Sequence, residues 1–263
     1  MYATPDLITL FSAKNIIVFI LVLTRLSGML VSAPFFSTFG VPPQVKALFA
    51  CFVAFIMYPF VAAKTGGVLP NNMPQLIVLL LLEFSIGFFI GFIADLVFQG
   101  IKMSGSILSI QMGFSMSDIL DPSTGEHQTT ISSMYVYLAT LVFFATGAHQ
   151  WLFEAVYLSF NAIPIGFWGF VSGGLVQSIL HLSGQVFQIA FGLIMPIFAV
   201  LLVADVLLGL MSKMLPQMNI FMVSLPFKVF TGLILMFAFL VGSMGYAKDI
   251  LEQFMQAISR LFM

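Results

Sequence analysis

An all-α membrane protein is what this sequence predicts, and three observations predict it. The first is composition: 60% of the 263 residues are hydrophobic and only 7% are charged, against about 25% charged in soluble domains. Mean hydropathy is +1.11, and so few charges cannot clothe a water-soluble surface. The second is segmentation. Six apolar runs, Asn15–Ala33, Ala47–Ala63, Gln75–Phe98, Ile131–Ala148, Val186–Met211 and Ile220–Tyr246, approach the roughly 20 residues a helix needs to cross the hydrocarbon core. The third is physical exclusion, since an open strand in lipid leaves its backbone groups unpaired and helix is the state left to these runs.

Between the runs lie turn signals. "APFFSTFGVPPQ", "KTGGVLPNNMP" and "KMLPQMN" carry the prolines, glycines and asparagines of connections. The stretch "SIQMGFSMSDILDPSTGEH", Ser109–His127, is neither a span nor an ordinary polar loop, because it mixes glycine, methionine, phenylalanine and acidic residues. Trp151–Leu182 is less apolar, is broken by Pro164, Gly173 and Gly174, and reads as short helices at an interface or in a connection. No small-residue cleavage pattern follows "NIIVFILVLT", so the first apolar run is expected to stay in the mature protein.

Charge excludes some functions and leaves others open. Nine basic residues stand against ten acidic ones, which gives no basic face for nucleic acid. Lys14, Lys64, Lys248 and Arg260 fall on one side of a six-span arrangement and Lys46, Lys102 and Lys213 on the other. That balance fixes no orientation and departs from the bias of a conventional six-helix permease. Five charges fall inside apolar runs: Arg25, Glu83, Asp95, Asp205 and Lys228. Each costs about 2.5–3.5 kcal/mol at a helix centre on insertion scales. They serve either as a proton or ion relay or as pairs that hold neighbouring helices together, and their contexts favour pairing, since no two lie at i, i+4 on one helix.

Small residues mark close helix approach. "GFFIG" places Gly87 and Gly91 on one face near Glu83, and Gly28, Gly209, Gly242 and Gly245 repeat the theme. Pro59, Pro196 and Pro226 interrupt apolar helices, which is tolerated where surrounding protein satisfies the freed carbonyls. The single Cys51 is expected to be a small core hydrophobe. No nucleophile elbow, zinc-protease motif or CxxC pair occurs, and "GIKMSGS" misses a phosphate-binding loop because no Lys follows Gly105. His127, His149 and His181 are too dispersed for a metal site. Neither catalysis nor a cofactor is expected.

Five motifs together resemble a known family. "RLSGMLVSAPFFSTFGVPPQVKALFA" (Arg25–Ala50), "EFSIGFFIGF" (Glu83–Phe92), "SGSILSIQMGFSMSDILDP" (Ser104–Pro122), "LSFNAIP" (Leu158–Pro164) and "PIFAVLLVADVLLGLMSKMLPQMNIFMVSLPFK" (Pro196–Lys228) look like the family of the flagellar biosynthetic protein FliR and its injectisome counterparts. "DP" at Asp121–Pro122 and "GAH" at Gly147–His149 are more similar to the flagellar branch.

The resemblance implies a subunit of the flagellar type III export gate in the bacterial inner membrane and flagellar basal body. It implies a hetero-oligomer with FliP and FliQ homologues that holds one copy of this chain, with FlhB and FlhA homologues nearby and unfolded flagellar proteins as cargo. Residues 1–185 would be FliP-like and 186–263 a FliQ-like helical hairpin with a tail. The hairpin pattern is matched by Gln217, Asn219, Pro226 and Lys228, with Phe227 standing between the last two.

Under the same resemblance the Gln111–Pro122 segment is a pore plug. Gln111 opens the segment, Gly113 lets the backbone turn, Met112, Phe114, Met116 and Ile119 supply conformable apolar bulk, and Ser115, Ser117 and Asp118 tolerate water when the loop is displaced. Arg25, Glu83, Gly87, Gly91 and Asp205 join the hairpin residues as helix-packing and assembly positions. Two alternatives stay open: a proton-coupled transporter of small solutes using Glu83, Asp95 and Asp205, and the injectisome equivalent of the same gate subunit.

Overall fold

The computed structural model describes residues 13–38, 40–62, 70, 72–114, 129–165, 173–215, 217 and 219–261. All the regular structure among them is helical. The helices are α1 (Ala13–Ser32), α2 (Pro34–Thr38), α3 (Pro43–Ala62), α4 (Met73–Met112), α5 (Thr130–Ala145), α6 (Ala148–Ala162), α7 (Gly173–Met214) and α8 (Ile220–Leu261). Five of them contain stretches long and apolar enough to cross a membrane: Lys14–Ser32, Pro43–Ala62, Met73–Met112, Leu182–Met214 and Met222–Phe239. A sixth arises if α5 and α6, separated by the break at Thr146–Gly147, make one span. The expected all-α membrane class is the one observed.

Among the described residues five of the expected runs lie along single helices to within a residue, Ile131–Ala148 crosses the break between α5 and α6, and three helices overrun their runs. Helix α4 has 40 residues and α7 and α8 have 42 each, lengths of about 60 Å at 1.5 Å per residue and about twice the hydrocarbon core. The reason is visible in α4. Its last third, "QGIKMSGSILSIQM", is more polar than the run before it, yet two of its three hydroxyls are satisfied within the helix, while Ser109 Oγ is buried without a hydrogen-bond partner among the described residues. Ser104 Oγ donates to the Ile101 carbonyl at 2.6 Å and Ser106 Oγ to the Lys102 carbonyl at 3.1 Å.

Two expectations are corrected. Gly173–Leu182 does not form a connection, because α7 begins at Gly173 and runs through it; among the described residues of the region α6 is the short helix of the expected kind, and 166–172 lie outside them. Cys51 is exposed rather than in the core. Helix α3 buries only Ala50, Ala54 and Val61 and turns Leu48, Phe52 and Phe55 outward, so the thiol stands on an outward apolar face.

The helices fall into two compact units. The first draws on Met1–Leu96, Gly147–Leu182 and Gln253–Met263, the second on Val97–Thr146 and Ser183–Glu252. In the first unit α1 packs against α3 and α6, and its core includes Leu21, Leu26, Met29, Ala54, Ile90 and Val156. In the second, Ile101, Leu108, Phe143, Ile194, Ile197 and Leu201 are buried, and Phe98 meets Phe143 edge-on at 5.7 Å.

Helix α5 starts with a defined cap. Thr129 is extended (φ −69°, ψ 148°) and its hydroxyl accepts from the Ser132 N–H at 3.3 Å. Replacing Thr129 with Ala should cost about 1 kcal/mol, read as a lowered unfolding midpoint in detergent; an unchanged midpoint would mean the long contact contributes nothing.

Candidate functional site

The polar residues singled out by sequence collect into two clusters, one in each unit. In the first unit, α1 places Arg25 with no solvent exposure at all, and Glu83 of α4 is 2% exposed. Arg25 Nε donates to Glu83 Oε2 at 2.5 Å, Nη1 to Ser159 Oγ at 2.9 Å and Nη2 to the Ile163 carbonyl at 3.1 Å. The guanidinium carbon also lies 3.9 Å from the centroid of the Phe160 ring. Three nitrogens and one π-face are thereby occupied. Ser159 Oγ in turn donates to the Val156 carbonyl at 2.6 Å, so the hydroxyl both accepts and donates, and the Ile163 carbonyl is one that the end of α6 leaves without an intrahelical partner.

That cluster exists because α1 and α4 approach closely. A Cβ on Gly87 would collide with the Arg25 carbonyl oxygen, and one on Gly91 with Ser32 Oγ and the Met29 carbonyl. From the other side, one on Gly28 would meet the Phe84 carbonyl oxygen. Three glycines therefore bring two backbones into contact, and the Ser32 hydroxyl donates across the seam to the Phe88 carbonyl at 2.9 Å. Gly209, Gly242 and Gly245 behave differently, with open space where their Cβ atoms would lie.

The second cluster stands where α4 ends. Gln111 Nε2 donates to Asp205 Oδ2 of α7 at 2.7 Å, and Lys228 Nζ of α8 pairs with Asp205 Oδ1. One carboxylate thus ties together α4, α7 and α8. The pair is partly wet, with 21% of the Lys228 and 35% of the Asp205 side chain exposed. Beside it the Met112 side chain fills the space over Gly232, and Leu225 lies against Gly113.

The backbone leaves the helix at Gly113, whose φ of 88° suits glycine. The amides of Gly113 and Phe114 still close the turn, donating to the Ile110 and Ser109 carbonyls at 3.0 Å each.

These positions revise the reading of the Ser109–His127 stretch. Ser109–Met112 form the last turn of α4, and Met112 is fully buried, because its flexible chain fits the notch that Gly232 leaves. Gln111 and Met112 are therefore helix residues that face other helices. Met116, Asp118 and Ile119 lie outside the described residues. Gln217 and Asn219 are exposed in the turn between α7 and α8, where the Asn219 carbonyl accepts from the Met222 N–H at 3.1 Å. Pro226 sits inside α8.

Sequence reasoning missed Ser159 and Phe160 as contacts of Arg25. The available signal was "LSFNAIP", which contains them together with Ile163.

The class of protein this defines is an all-helical membrane component in which four charges of the apolar runs pair across helices, Arg25 with Glu83 and Lys228 with Asp205. Its sequence places it further. Residues 16–254 match the model of the bacterial export proteins, family 1, and the chain belongs to that family. It is similar to the flagellar biosynthetic protein FliR of Bacillus subtilis, 29% identical over 83% of this chain and 84% of that protein. It is also similar to FliR of Escherichia coli, 27% identical over 82% and 81%, and to FliR of Caulobacter vibrioides, 26% identical over 88% and 91%. The resemblance carried by the five motifs is that of the family itself.

Proposed function

We propose that this chain is a core subunit of the flagellar type III protein export gate, built with FliP and FliQ homologues into a hetero-oligomer that contains one copy of it. The observation that carries this reading is the family match from residue 16 to 254, joined by FliR relatives that align over more than four-fifths of both chains. In this reading residues 1–185 are the FliP-like part and 186–263 the FliQ-like hairpin. FlhB and FlhA homologues stand alongside, the site is the inner membrane within the flagellar basal body, and unfolded flagellar proteins are the cargo.

The segment from Gln111 to Pro122 contributes the plug that keeps the channel closed. Support comes from its root, since Gln111, Met112 and Gly113 are each held by a residue of α7 or α8, which gives the seal a fixed base. The alternative of a small-solute transporter fits the charges less well. Of Glu83, Asp95 and Asp205, which that reading would use, Glu83 is committed to Arg25 and Asp205 to Lys228 and Gln111, and Asp95 also has an interaction partner.

Co-expression with FliP and FliQ from the same source, followed by native mass spectrometry, should give one stable mass containing a single copy of this chain. A chain that stays alone or pairs only with itself would overturn the assembly. Deleting residues 115–122 should raise ion leakage through the assembled complex in vesicles, and a leak equal to that of the parent complex would remove the plug.

A further inference from the structure

The cluster around Asp205 does more than neutralise charge, and the reasons are its position and its make-up. Gln111 is the penultimate residue of α4, and the first residue beyond the helix, Gly113, lies in the left-handed region. The residues that fix this end do not come from neighbouring sequence: Asp205 is 94 positions away, and Leu225, Lys228 and Gly232 belong to α8. Each contact binds the end of α4 to the α7–α8 pair by a different chemistry. Gln111 supplies an amide donor, Met112 packs into the Gly232 notch, and Leu225 covers Gly113. The Asp205–Lys228 pair joins α7 to α8 and at the same time presents its second carboxylate oxygen to Gln111.

We propose that Gln111, Asp205 and Lys228 form a latch through which the α7–α8 pair sets the conformation of the end of α4, with Gln111 as a positioning residue. The functional meaning of the latch rests on the export-gate reading, because it holds the root of the segment assigned there as plug. Its geometry is local and partly wet. A carboxylate shared between an ammonium and an amide, with 35% of its side chain exposed, can exchange partners without burying a bare charge. When Lys228 moves with α8, Asp205 loses the partner that aims it at Gln111, and the last turn of α4 is released.

The test is hydrogen–deuterium exchange on the full-length chain in detergent, read at the Gly113 and Phe114 amides that close the last turn. Asp205→Asn and Lys228→Met should each speed exchange at these two amides at least tenfold and leave the amides of Ile86–Ile93 in the first unit unchanged. The exchanged pair Asp205→Lys with Lys228→Asp should return protection to within about threefold of the parent, because the Gln111 amide can turn and accept from a lysine through its carbonyl oxygen. Unchanged exchange in the single variants overturns the latch. So does fast exchange that the exchanged pair fails to restore, which would show a need for bulk alone at these positions. A variant that loses protection throughout has failed to fold, and Lys228→Arg then decides: parental exchange supports the latch, and faster exchange at Gly113 and Phe114 alone overturns a role for charge. Leakage after deletion of residues 115–122 judges the plug separately, so the latch and the gate reading can fail independently.

Discussion

Arg25→Met is expected to destabilise the chain by about 3–5 kcal/mol, the usual cost of removing one partner from a buried ion pair. The loss is not the salt bridge alone. Glu83, 2% exposed, is left as an unneutralised carboxylate among apolar helices, while Ser159 Oγ and the Ile163 carbonyl each lose a donor. Ser159 Oγ keeps its bond to the Val156 carbonyl and the Ile163 carbonyl is only partly buried, so the carboxylate carries most of the loss. The measurement is the thermal unfolding midpoint of the detergent-solubilised chain, together with its yield from membranes. The double variant Arg25→Met with Glu83→Leu should recover most of the loss, because replacing a buried pair by apolar residues of similar size is often neutral or stabilising. A single variant with the parental midpoint would show that the cluster contributes no stability.

Gly87→Leu is expected to cost at least as much, by a different route. Overpacking a well-filled core typically costs about 1–3 kcal/mol when side chains can yield. Here the obstacle is the Arg25 carbonyl, a backbone atom that a Cβ would already meet. Only separation of α1 from α4 can relieve the clash, and separation pulls Arg25 away from Glu83 and Ser32 from the Phe88 carbonyl. Even Gly87→Ala should lower the unfolding midpoint clearly, whereas Gly242→Ala, where space is open, should not, and α8 gains from the better helix former. Equal midpoints for the two alanine variants would refute the close approach at Gly87.

What could be read without coordinates, and what could not, divides along physical lines. Membrane class and the existence of the helices follow from hydrophobic run length, which is a local property, and Asn15–Ala33 maps onto α1 almost residue for residue. Helix ends were less legible. The apolar run read from sequence stops at Phe98, while α4 continues to Met112 through serines, a lysine and a close-packed Gly105, whose Cβ would lie 2.5 Å from the Ser132 Cα.

The need for partners of Arg25 and Lys228 was legible from the cost of their charges. Which partners they take was not, since Arg25 and Glu83 are separated by 58 positions with no periodicity to link them. Of the glycines in the small-residue theme, Gly28, Gly87 and Gly91 lie where two helix backbones meet, while Gly209, Gly242 and Gly245 have open space beside them within this chain. A glycine in an apolar run records the possibility of contact, and only a partner helix makes it real.

The wide spacing of the Arg25 contacts has a consequence in time. The guanidinium enters the membrane on α1 well before its ligands are synthesised: Glu83 follows 58 residues later and Ser159 134 residues later. At about 5–20 residues per second of translation, the first delay is about 3–12 seconds and the second about 7–27 seconds. Throughout that interval α1 carries a charge worth about 2.5–3.5 kcal/mol against insertion. The nascent chain therefore settles its first helix retroactively, when the fourth and then the sixth emerge beside it. Biogenesis of this protein is ordered by the ribosome, with Arg25 as the residue that waits.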